Sequence, residues 1–334
     1  MPVSAKTLSL RKPSKARLDI GKTPLDFNSV RLVPLARRPS KIRLDLLGRE
    51  PKRGASFRNF WQGLPDILAV RDLRLLVERL AQARRKKHPV LLMFGAHVIK
   101  TGLSRYLISL MEREWVTALA CNGAGVIHDF EIAYAGRTSE DVAVALKNGT
   151  FGFARETAEY LNAWAKEAAS SGEGLGRAIG RRISESQFPN KSLSLFARAW
   201  ELGVPISVHA AIGTDIIYQH PSCDGAAWGG ASFQDFRRLA EIVRDLGSGG
   251  VVMNFGSAVL MPEVFLKALA INKNLGVKFP NLTTANFDMI LHYRARVNIL
   301  ERPTQETSRR SAFNFTGHHE ILLPLLAQAL VESG

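Results

Sequence analysis

The chain of 334 residues carries a formal net charge of +15, and 46% of its residues are hydrophobic. That length suffices for one large α/β domain or two smaller ones. No apolar run approaches the roughly 18 residues that cross a membrane, and the N-terminus lacks the apolar stretch of a secretory signal. Because Cys121 and Cys223 are the only cysteines, we expect a cytoplasmic protein rather than a disulfide scaffold.

The positive charge is concentrated near the N-terminus, where residues 1–60 contain 15 Lys/Arg but 4 Asp/Glu. One interpretation of such a segment is binding to nucleic acid or another polyanion, driven by counterion release. The other is a solvated extension, or one that packs on a neighbouring subunit. No base-reading motif accompanies it. We therefore predict a basic, partly irregular extension over residues 1–60, a single domain over residues 61–334, and no nucleic-acid partner.

Hydrophobic periodicity predicts a helix over residues 64–86, after which strand and helix signals alternate. Residues 137–185 are predicted to be largely helical. The predicted strands are 90–94, 116–121, 204–208, 250–254 and 282–285. The other predicted helices are 101–113, one beginning near 126, 192–202, 233–246, 262–270 and 318–331.

This alternation predicts an α/β fold with a doubly wound, mostly parallel sheet and right-handed crossovers. In such sheets ligands bind outside the carboxyl ends of the strands. The rule places six segments along one edge, which we call the rim. These segments are 95–101, 121–129, 209–215, 254–257, 283–288 and 316–319.

Two of these segments contain glycine-bearing loops, GAHVIKTG at 95–102 and NGAGVIHD at 122–129. Each follows an apolar run and opens a helix-like stretch. Strand–loop–helix units of this kind present backbone N–H groups and a helix N-terminus to anionic groups of nucleotides. Neither loop has the spacing of the GxGxxG fingerprint.

The order of these segments resembles that of deoxyhypusine synthases over roughly residues 88–330. Residues 96–103 are similar to the SNLISSG loop of that family, and residues 121–129 to its TTAGGVEED loop. Residues 204–215 are similar to IPVFSPALTDG, and 253–259 stand at the position of a GGG loop. Residues 283–288 (TTANFD) resemble NTAQEFD, and 313–326 resemble the closing YADASLVFPLL helix.

The resemblance implies the NAD-binding domain of that family and a homotetramer with sites at subunit interfaces. The family uses NAD to oxidise spermidine, holds the aminobutyl group as an imine on a lysine, and passes it to a protein lysine. By position, the implied NAD contacts are Ala96, His97, Lys100, Thr101, Gly123, Ala124, Asp215, Gly256, Ser257, Thr284, Ala285, Asp288, Gly317 and His318.

The residues that carry the family's chemistry differ here. The imine-forming lysine follows NTAQEFD, whereas the last lysine of this chain is Lys278, which precedes TTANFD. Arginine cannot replace it, because a guanidinium stays protonated. Ile127 and His128 stand where the family has a pair of glutamates for the polyamine, and the acidic GSDSG stretch is replaced by residues 289–296. We therefore expect chemistry without an enzyme-lysine imine.

His128 and Asp129 are the predicted catalytic residues. Imidazole titrates near neutrality and is suited to proton transfer. The alternative is an aspartate that stabilises a helix N-terminus beside a surface histidine. The spacing of the other histidines and aspartates fits no compact metal motif, so we expect no metal site.

The leading hypothesis is an NAD-dependent transferase of the deoxyhypusine or homospermidine synthase type, acting on a small polyamine-type amine. It would remove hydride from an amine carbon and transfer or release the resulting group. The alternative is a non-catalytic nucleotide-binding or assembly module that kept the fold, since fold alone does not determine function.

Overall fold

The computed structural model describes residues 25–307 and 310–334. Contacts divide the chain into two compact units, residues 1–45 and 46–334. In the first unit the described residues form short 3-10 turns at Phe27–Ser29 and Leu35–Arg37, and a third turn covers Leu44–Leu46. The rest of the predicted basic extension, residues 1–24, lies outside the described residues. The predicted domain boundary at residue 60 stays a prediction.

The second unit is built on a six-stranded sheet in which every neighbouring pair is parallel. Its strand order is β3-β2-β1-β4-β5-β6. The strands are β1 (Val90–Phe94), β2 (Ala118–Asn122), β3 (Ile206–His209), β4 (Val251–Phe255), β5 (Thr283–Asp288) and β6 (Ala312–Thr316). Continuous apolar runs such as VLLMF form these strands because parallel sheets are covered on both faces. The predicted doubly wound α/β fold is confirmed.

Helices connect the strands and cover the sheet. They are α1 (Phe57–Gly63), α2 (Leu68–Arg85), α3 (His97–Lys100), α4 (Ser104–Glu112), α5 (Gly123–Ala135), α6 (Val142–Asn148), α7 (Arg155–Ser171), α8 (Leu175–Glu185), α9 (Leu195–Leu202), α10 (Gly225–Asp245), α11 (Leu260–Asn274), α12 (Tyr293–Ala295) and α13 (His319–Ser333). A π-helical stretch, Arg296–Glu301, follows α12. None of the helices in the described residues is long and apolar enough to cross a membrane.

Two separate hydrophobic cores lie on the two faces of the sheet. In β1, Leu92 and Phe94 pack into the larger core, whereas Leu91 and Met93 pack into the smaller one. This alternation follows from the two-residue repeat of a strand. Burying one such side chain stabilises the fold by about 1.5–3 kcal/mol, so both faces of the sheet contribute to its stability.

Aromatic rings fix the register of three strands on the larger core's side. The ring centroids of Phe255 and Phe287 lie 4.2 Å apart, and those of Phe287 and Phe315 lie 4.7 Å apart. These residues are direct partners in the parallel ladders. A shift of one residue would move each ring to the opposite face, so the stacked rings specify this pairing.

An amide ladder lies on the opposite face of the same strands. Asn254 donates to Asn286 over 2.8 Å, and Asn286 donates to Asn314 over 3.1 Å. Buried amides are costly unless they are hydrogen-bonded. The three asparagines therefore reinforce the register that the phenylalanine rings impose.

The strand order has its switch point between β1 and β4, where successive connections leave the sheet toward opposite faces. Ligands bind in the crevice at such a point. The loops that follow β1, β2, β3, β4 and β6 all begin on this carboxyl-end edge, which confirms the predicted rim. The segment 283–288 is different because it is strand β5 itself.

Candidate nucleotide and amine site

Helix α5 begins directly at the end of β2, and this junction places its N-terminus on the rim. The side chain of Asn122 accepts a hydrogen bond from the backbone N–H of Gly125 over 3.2 Å and so caps the helix. Asp215, from the loop after β3, lies against Gly123 so closely that a Cβ at residue 123 would overlap its carboxylate. Glycine at position 123 thus allows the β3 loop to approach the helix end.

A cleft of about 200 Å³ opens beside this junction. It is lined by residues from the β1 loop, helix α5, the segment around α6, and the β3 loop. Four of the predicted site residues line it, namely Lys100, Ala124, His128 and Asp215. Its other lining residues are Ile127, Glu131, Ser139, Glu140, Val142, Phe151, Thr214 and Ile216.

A chain of hydrogen bonds fixes the protonation of the His128 ring. Nδ1 of His128 lies 2.6 Å from the hydroxyl oxygen of Thr138, and that hydroxyl donates its proton to Oε2 of Glu131. Because the hydroxyl proton is already donated, Nδ1 must be the donor to Thr138. In the neutral ring Nε2 then carries the lone pair. His128 therefore offers an acceptor to a molecule in the cleft.

Burial and a neighbouring cation keep His128 uncharged. Burial and, secondarily, the positive charge of Lys100 together lower the pKa of His128 to about 4. Across the cleft, burial raises the pKa of Asp215 to about 6. Near neutral pH the cleft thus combines a neutral imidazole, a carboxylate and an ammonium group.

Asp129, the second predicted catalytic residue, makes its contacts elsewhere. Its carboxylate accepts hydrogen bonds from the hydroxyl of Ser194 at 2.5 Å and from the backbone N–H of Leu195 at 2.7 Å. It also accepts one from the N–H of Phe196 at 3.4 Å. Burial raises its pKa to about 6. Asp129 therefore stabilises a helix N-terminus, as the alternative interpretation held, although the helix is α9.

A second part of the rim lies at the switch point, where the loops after β1, β4 and β6 meet. The rings of His97 and His319 lie 5.8 Å apart between centroids. Gly256 has a φ of +63° and lies beneath the His319 ring, where a Cβ would overlap the imidazole. Nδ1 of His319 is buried and has no hydrogen-bond partner among the described residues. This crevice thus contains an unsatisfied polar atom that a ligand could satisfy.

The sequence indicated His318 at this point, but His319 is the residue that enters the crevice. His319 is 1% exposed, whereas His318 occupies the N-cap position of α13 and its side chain is largely exposed. Adjacent helical residues point about 100° apart, so only one of the two can face inward. His319 belongs to the buried stripe of α13, together with Leu323 and Leu326.

Thr284 and Ala285 are not on the rim, so their predicted placement there is wrong. Both lie inside strand β5, and neither has exposed surface. Of the segment 283–288, only Asp288 reaches the strand end, where its carboxylate accepts a hydrogen bond from the backbone N–H of Met289 at 2.8 Å. Thr284 and Ala285 therefore offer no side chain to a ligand on the rim.

The remaining predicted cofactor contacts lie along the rim loops. Ala96 occupies the N-cap position of α3, and the Thr101 hydroxyl donates to the His97 carbonyl at 2.9 Å. The Ser257 hydroxyl accepts from the Met261 N–H at 3.1 Å at the start of α11. Gly317 donates its backbone N–H to the Asp288 carbonyl, 3.0 Å away.

Two lysines differ in where they lie relative to the rim. Lys278 precedes β5 and its carbonyl lies against Gly247, at the amino-terminal edge of the sheet rather than on the rim. Lys100 is the lysine that lines the cleft. Arg294 forms an ion pair of 2.9 Å with Glu263. Within the described residues, no group of three or more His, Cys, Asp or Glu side chains could hold a metal ion.

A larger cleft of about 940 Å³ lies at the other end of β3. Several of its charged side chains pair with one another, as Arg177 does with Glu173 at 3.1 Å and Arg238 with Glu241 at 2.9 Å. Its buried carboxylate, Asp235, is bonded to backbone N–H groups of Gly176 and Val208. These contacts hold helices and strand together, so we place the functional site at the smaller cleft on the rim.

Comparison with known proteins shows the fold but no family. No protein-family model matches the chain, and no curated protein matches it. Unliganded AgrE has a similar structure, with 15% identity and a TM-score of 0.51 over 80% of this chain and 34% of that chain. A conserved putative LOR/SDH protein from Methanococcus maripaludis S2 gives 15% identity and a TM-score of 0.50, over 86% of this chain and 74% of that one.

Two further matches are weaker in overall superposition. A ternary complex of AgrE with ornithine and NAD+ gives 17% identity and a TM-score of 0.49, over 80% of this chain and 34% of that chain. A putative deoxyhypusine synthase from Entamoeba histolytica gives 10% identity and a TM-score of 0.45, over 84% and 95%. This chain thus spans about a third of the length of AgrE. The deoxyhypusine synthase family remains a prediction.

Proposed function

We propose that this protein is an NAD-dependent enzyme that oxidises an amine in the cleft between Lys100, His128 and Asp215. The observation that carries the proposal is the tautomer of His128, whose Nε2 lone pair is available as an acceptor in the cleft that Lys100 and Asp215 also line. A carboxylate and a neutral imidazole are suited to hold an ammonium ion. His128 follows β2 and Asp215 follows β3, so both belong to the carboxyl-end edge of the sheet, where ligands of this fold bind.

The switch point is the proposed location of the dinucleotide. The close approach of Gly256 to the His319 ring and the unsatisfied Nδ1 of that ring fit a bound polar group. The N-terminus of α5 favours anionic groups, which suits a pyrophosphate. The proposed contacts on this side are Ala96, His97, Thr101, Gly123, Gly256, Ser257, Asp288, Gly317 and, in place of His318, His319.

NAD, when bound, supplies a hydride acceptor for the carbon that carries the amine. The protein's own residues would bind and orient the amine and control its proton. Asp215 would hold the ammonium group, and Nε2 of His128 would accept the proton that the nitrogen must lose before the carbon–nitrogen double bond can form. Lys100 would attract an anionic group of the substrate or cofactor.

The oxidised amine would then be captured directly by a second amine or by water. The position of Lys278 at the opposite edge of the sheet supports this version. Lys100, which lines the cleft, would act in it as a cation rather than as an imine-forming amine. For a substrate, the ornithine that AgrE binds and polyamines such as spermidine are the first molecules to test.

A second candidate function is a nucleotide-binding module without catalysis. The observation that favours it is the low pKa of His128, about 4, since a general base works best when its pKa lies near the operating pH. Such a module would bind NAD at the same crevice, yet no amine would be oxidised.

Calorimetric titration of the nucleotide-stripped protein with NAD tests the shared part of both functions. Saturable binding at micromolar concentrations is expected, and its absence would contradict the oxidoreductive mechanism. Amines are then screened for NADH absorbance with the wild type and the His128→Ala variant. If His128 transfers the proton, the variant binds NAD normally but forms NADH about 10²–10⁴-fold more slowly. NAD binding without turnover of any amine would favour the non-catalytic module.

We also propose that the protein is a homo-oligomer, possessing the tetrameric arrangement that the resemblance implies. Exposed apolar side chains follow three strands on the rim, among them Ile212, Val259 and Ile290. Surfaces of this kind are typical of protein contacts. Light scattering on the full chain measures the assembly, and the variant Ile290→Asp should shift it toward smaller species.

A further inference from the structure

A polar cleft lies at the amino-terminal edge of the sheet, opposite the rim. It has a volume of about 130 Å³ and is formed by the end of α2 and by the loops that precede β1, β4 and β5. Val251 and Thr283 anchor these loops through backbone hydrogen bonds to Pro89 and Gly250, of 3.0 and 3.1 Å. The space equals that of roughly four water molecules, which is enough for one tetrahedral oxyanion.

The cleft combines basic groups with neutral hydrogen-bonding groups. Arg79, Lys86 and His88 supply the basic groups, and Ser248 and Thr283 supply hydroxyls. Among the described residues that line it there is no Asp or Glu. The nearby carboxylate of Asp245 is paired with Arg244 at 3.2 Å. The charge of the cleft is therefore not neutralised by its own walls.

Arg79 gives the clearest indication that the cleft takes a ligand. Its Nε is buried and has no hydrogen-bond partner within the described residues. Nη1 of Arg79 donates a long hydrogen bond to Oε1 of Gln82, over 3.4 Å. A buried guanidinium N–H without an acceptor is costly. An acceptor that reached this N–H would remove the cost and would complete the fork of donors that arginine presents.

His88 and Ser248 form the opposite wall. Nδ1 of His88 lies 3.3 Å from the hydroxyl of Ser248, so the two side chains hold each other in place. A basic residue at the end of a helix interacts favourably with the helix dipole, and this would be reason enough for a lysine at position 86, after α2. That effect does not explain Arg79, because Arg79 lies before the last turn of α2 and its Nε is buried.

We propose that this cleft is a binding site for a small oxyanion of the phosphate class, either the free ion or the end group of a phosphate monoester. Arg79 would bind two oxygens through its planar fork, and Lys86 would supply a point charge. The hydroxyl of Thr283 would donate to a third oxygen. The site is separate from the rim, so it would act on the protein's stability or on the rim by linkage rather than as part of the amine site.

The test is calorimetric titration of the full chain with inorganic phosphate and with methyl phosphate, in a zwitterionic buffer at constant ionic strength set with chloride. The variants are Arg79→Gln and, as a matched control, Arg85→Gln. Arg85 lies on the same helix and is exposed but does not line the cleft. Lys100→Gln is measured in parallel to detect an anion that binds at the rim instead.

Saturable binding is expected, weakened about tenfold or more in Arg79→Gln because a charge-assisted hydrogen bond is lost. Arg85→Gln and Lys100→Gln should bind as the wild type does. Stronger binding of methyl phosphate would identify the ligand as a phosphate ester, and stronger binding of phosphate would identify the free ion. No binding beyond that of chloride, unchanged binding by Arg79→Gln, or loss of binding in Lys100→Gln would each overturn the proposal.

A folding defect in the variant does not leave the question open. If Arg79→Gln is not folded by circular dichroism, Arg79→Lys keeps the charge but loses the fork, and it should still bind phosphate more weakly than the wild type. Equal binding by Arg79→Lys and the wild type would then contradict the role of Arg79. NAD binding at the rim is measured in every variant, so failure of this site is distinguishable from failure of the proposed function.

Discussion

The hydroxyl of Thr138 connects the ring of His128 to the carboxylate of Glu131, and its single proton decides the tautomer of the ring. The Nδ1–Oγ1 distance is 2.6 Å, and the hydroxyl donates to Glu131. Oε1 of Glu131 accepts in addition from Thr157 at 3.1 Å, which holds the carboxylate in position. Because Nδ1 carries the proton, the lone pair of Nε2 is available in the cleft.

We predict that Thr138→Val reduces amine-dependent NADH formation more than it reduces NAD affinity. Valine has the shape of threonine but cannot accept a hydrogen bond from the N–H at Nδ1, so the ring of His128 loses its fixed tautomer. The loss of kcat/KM should be below the roughly 10²–10⁴-fold expected for removing the base itself. Steady-state kinetics and calorimetry measure the two quantities.

Thr138→Ser is the matched control for this prediction. Serine keeps the hydroxyl and should keep most of the activity. Equal losses in the valine and serine variants would show that the hydrogen bond does not govern His128.

The second prediction concerns the pKa of His128, which burial and the charge of Lys100 lower to about 4. Removing that charge with Lys100→Gln should raise the pKa. The value should stay below the ordinary 6.5, because burial is the larger cause. NMR titration of the ring protons measures it, with His128→Gln used to assign the signal. A pKa near 6.5 in the wild-type protein would contradict the buried environment described for this ring.

The third prediction is a dependence of stability on pH that comes from Asp235. Burial raises the pKa of Asp235 to about 7, above the ordinary 3.8. A raised pKa in the folded state gives a contribution that is fully present below pH 3.8 and is lost as the pH rises through 7. Relative to Asp235→Asn, the wild type should therefore lose on the order of a few kcal/mol of unfolding free energy between pH 4 and 7.

Urea unfolding at several pH values measures this difference. Asp245→Asn is the control, since Asp245 is exposed and pairs with Arg244. Its unfolding free energy should follow that of the wild type across the same range. Parallel curves for Asp235→Asn and the wild type would show that Asp235 is ionised normally.

The sequence was sufficient to predict the strands that are buried on both faces, because they are continuous apolar runs. Strand β1 has the predicted bounds. Strand β6 was missed, since in Phe313–Asn314–Phe315 apolar and polar residues alternate at the edge of the sheet and no long run marks it. Helix α10 begins earlier than predicted, at Gly225, because Asp224 caps it through the Ala227 N–H at 3.0 Å despite the glycines that follow.

The site was predicted where the rim rule applied and missed where distant segments meet. His128 and Asp215 follow strands β2 and β3, so the rule placed them together. Glu131 could have been found, because it lies three residues after His128 on the same helix face. The chain brings Thr138 back to that face only after helix α5 has ended at Gly136, whose backbone is in the left-handed conformation. The bond from Asp129 to Ser194 spans 65 residues, and no local pattern indicates it.

The last prediction concerns the crevice at the switch point. Gly256→Ala should destabilise the protein by more than the roughly 1–2 kcal/mol that a left-handed conformation costs an alanine. The reason is that the added Cβ would also overlap the ring of His319, which is buried between the loops. The variant should therefore displace the ring and weaken NAD binding, if NAD binds in this crevice.

Gly203→Ala separates the two effects, because Gly203 has a similar φ of +69° and nothing within 4 Å of the added Cβ. It should show the backbone cost alone. Urea unfolding gives the free energies, and the NMR signal of His319 reports the position of its ring. Equal losses in both variants, with an unchanged His319 signal, would mean that the ring moves aside freely and that the glycine is required only for its backbone conformation.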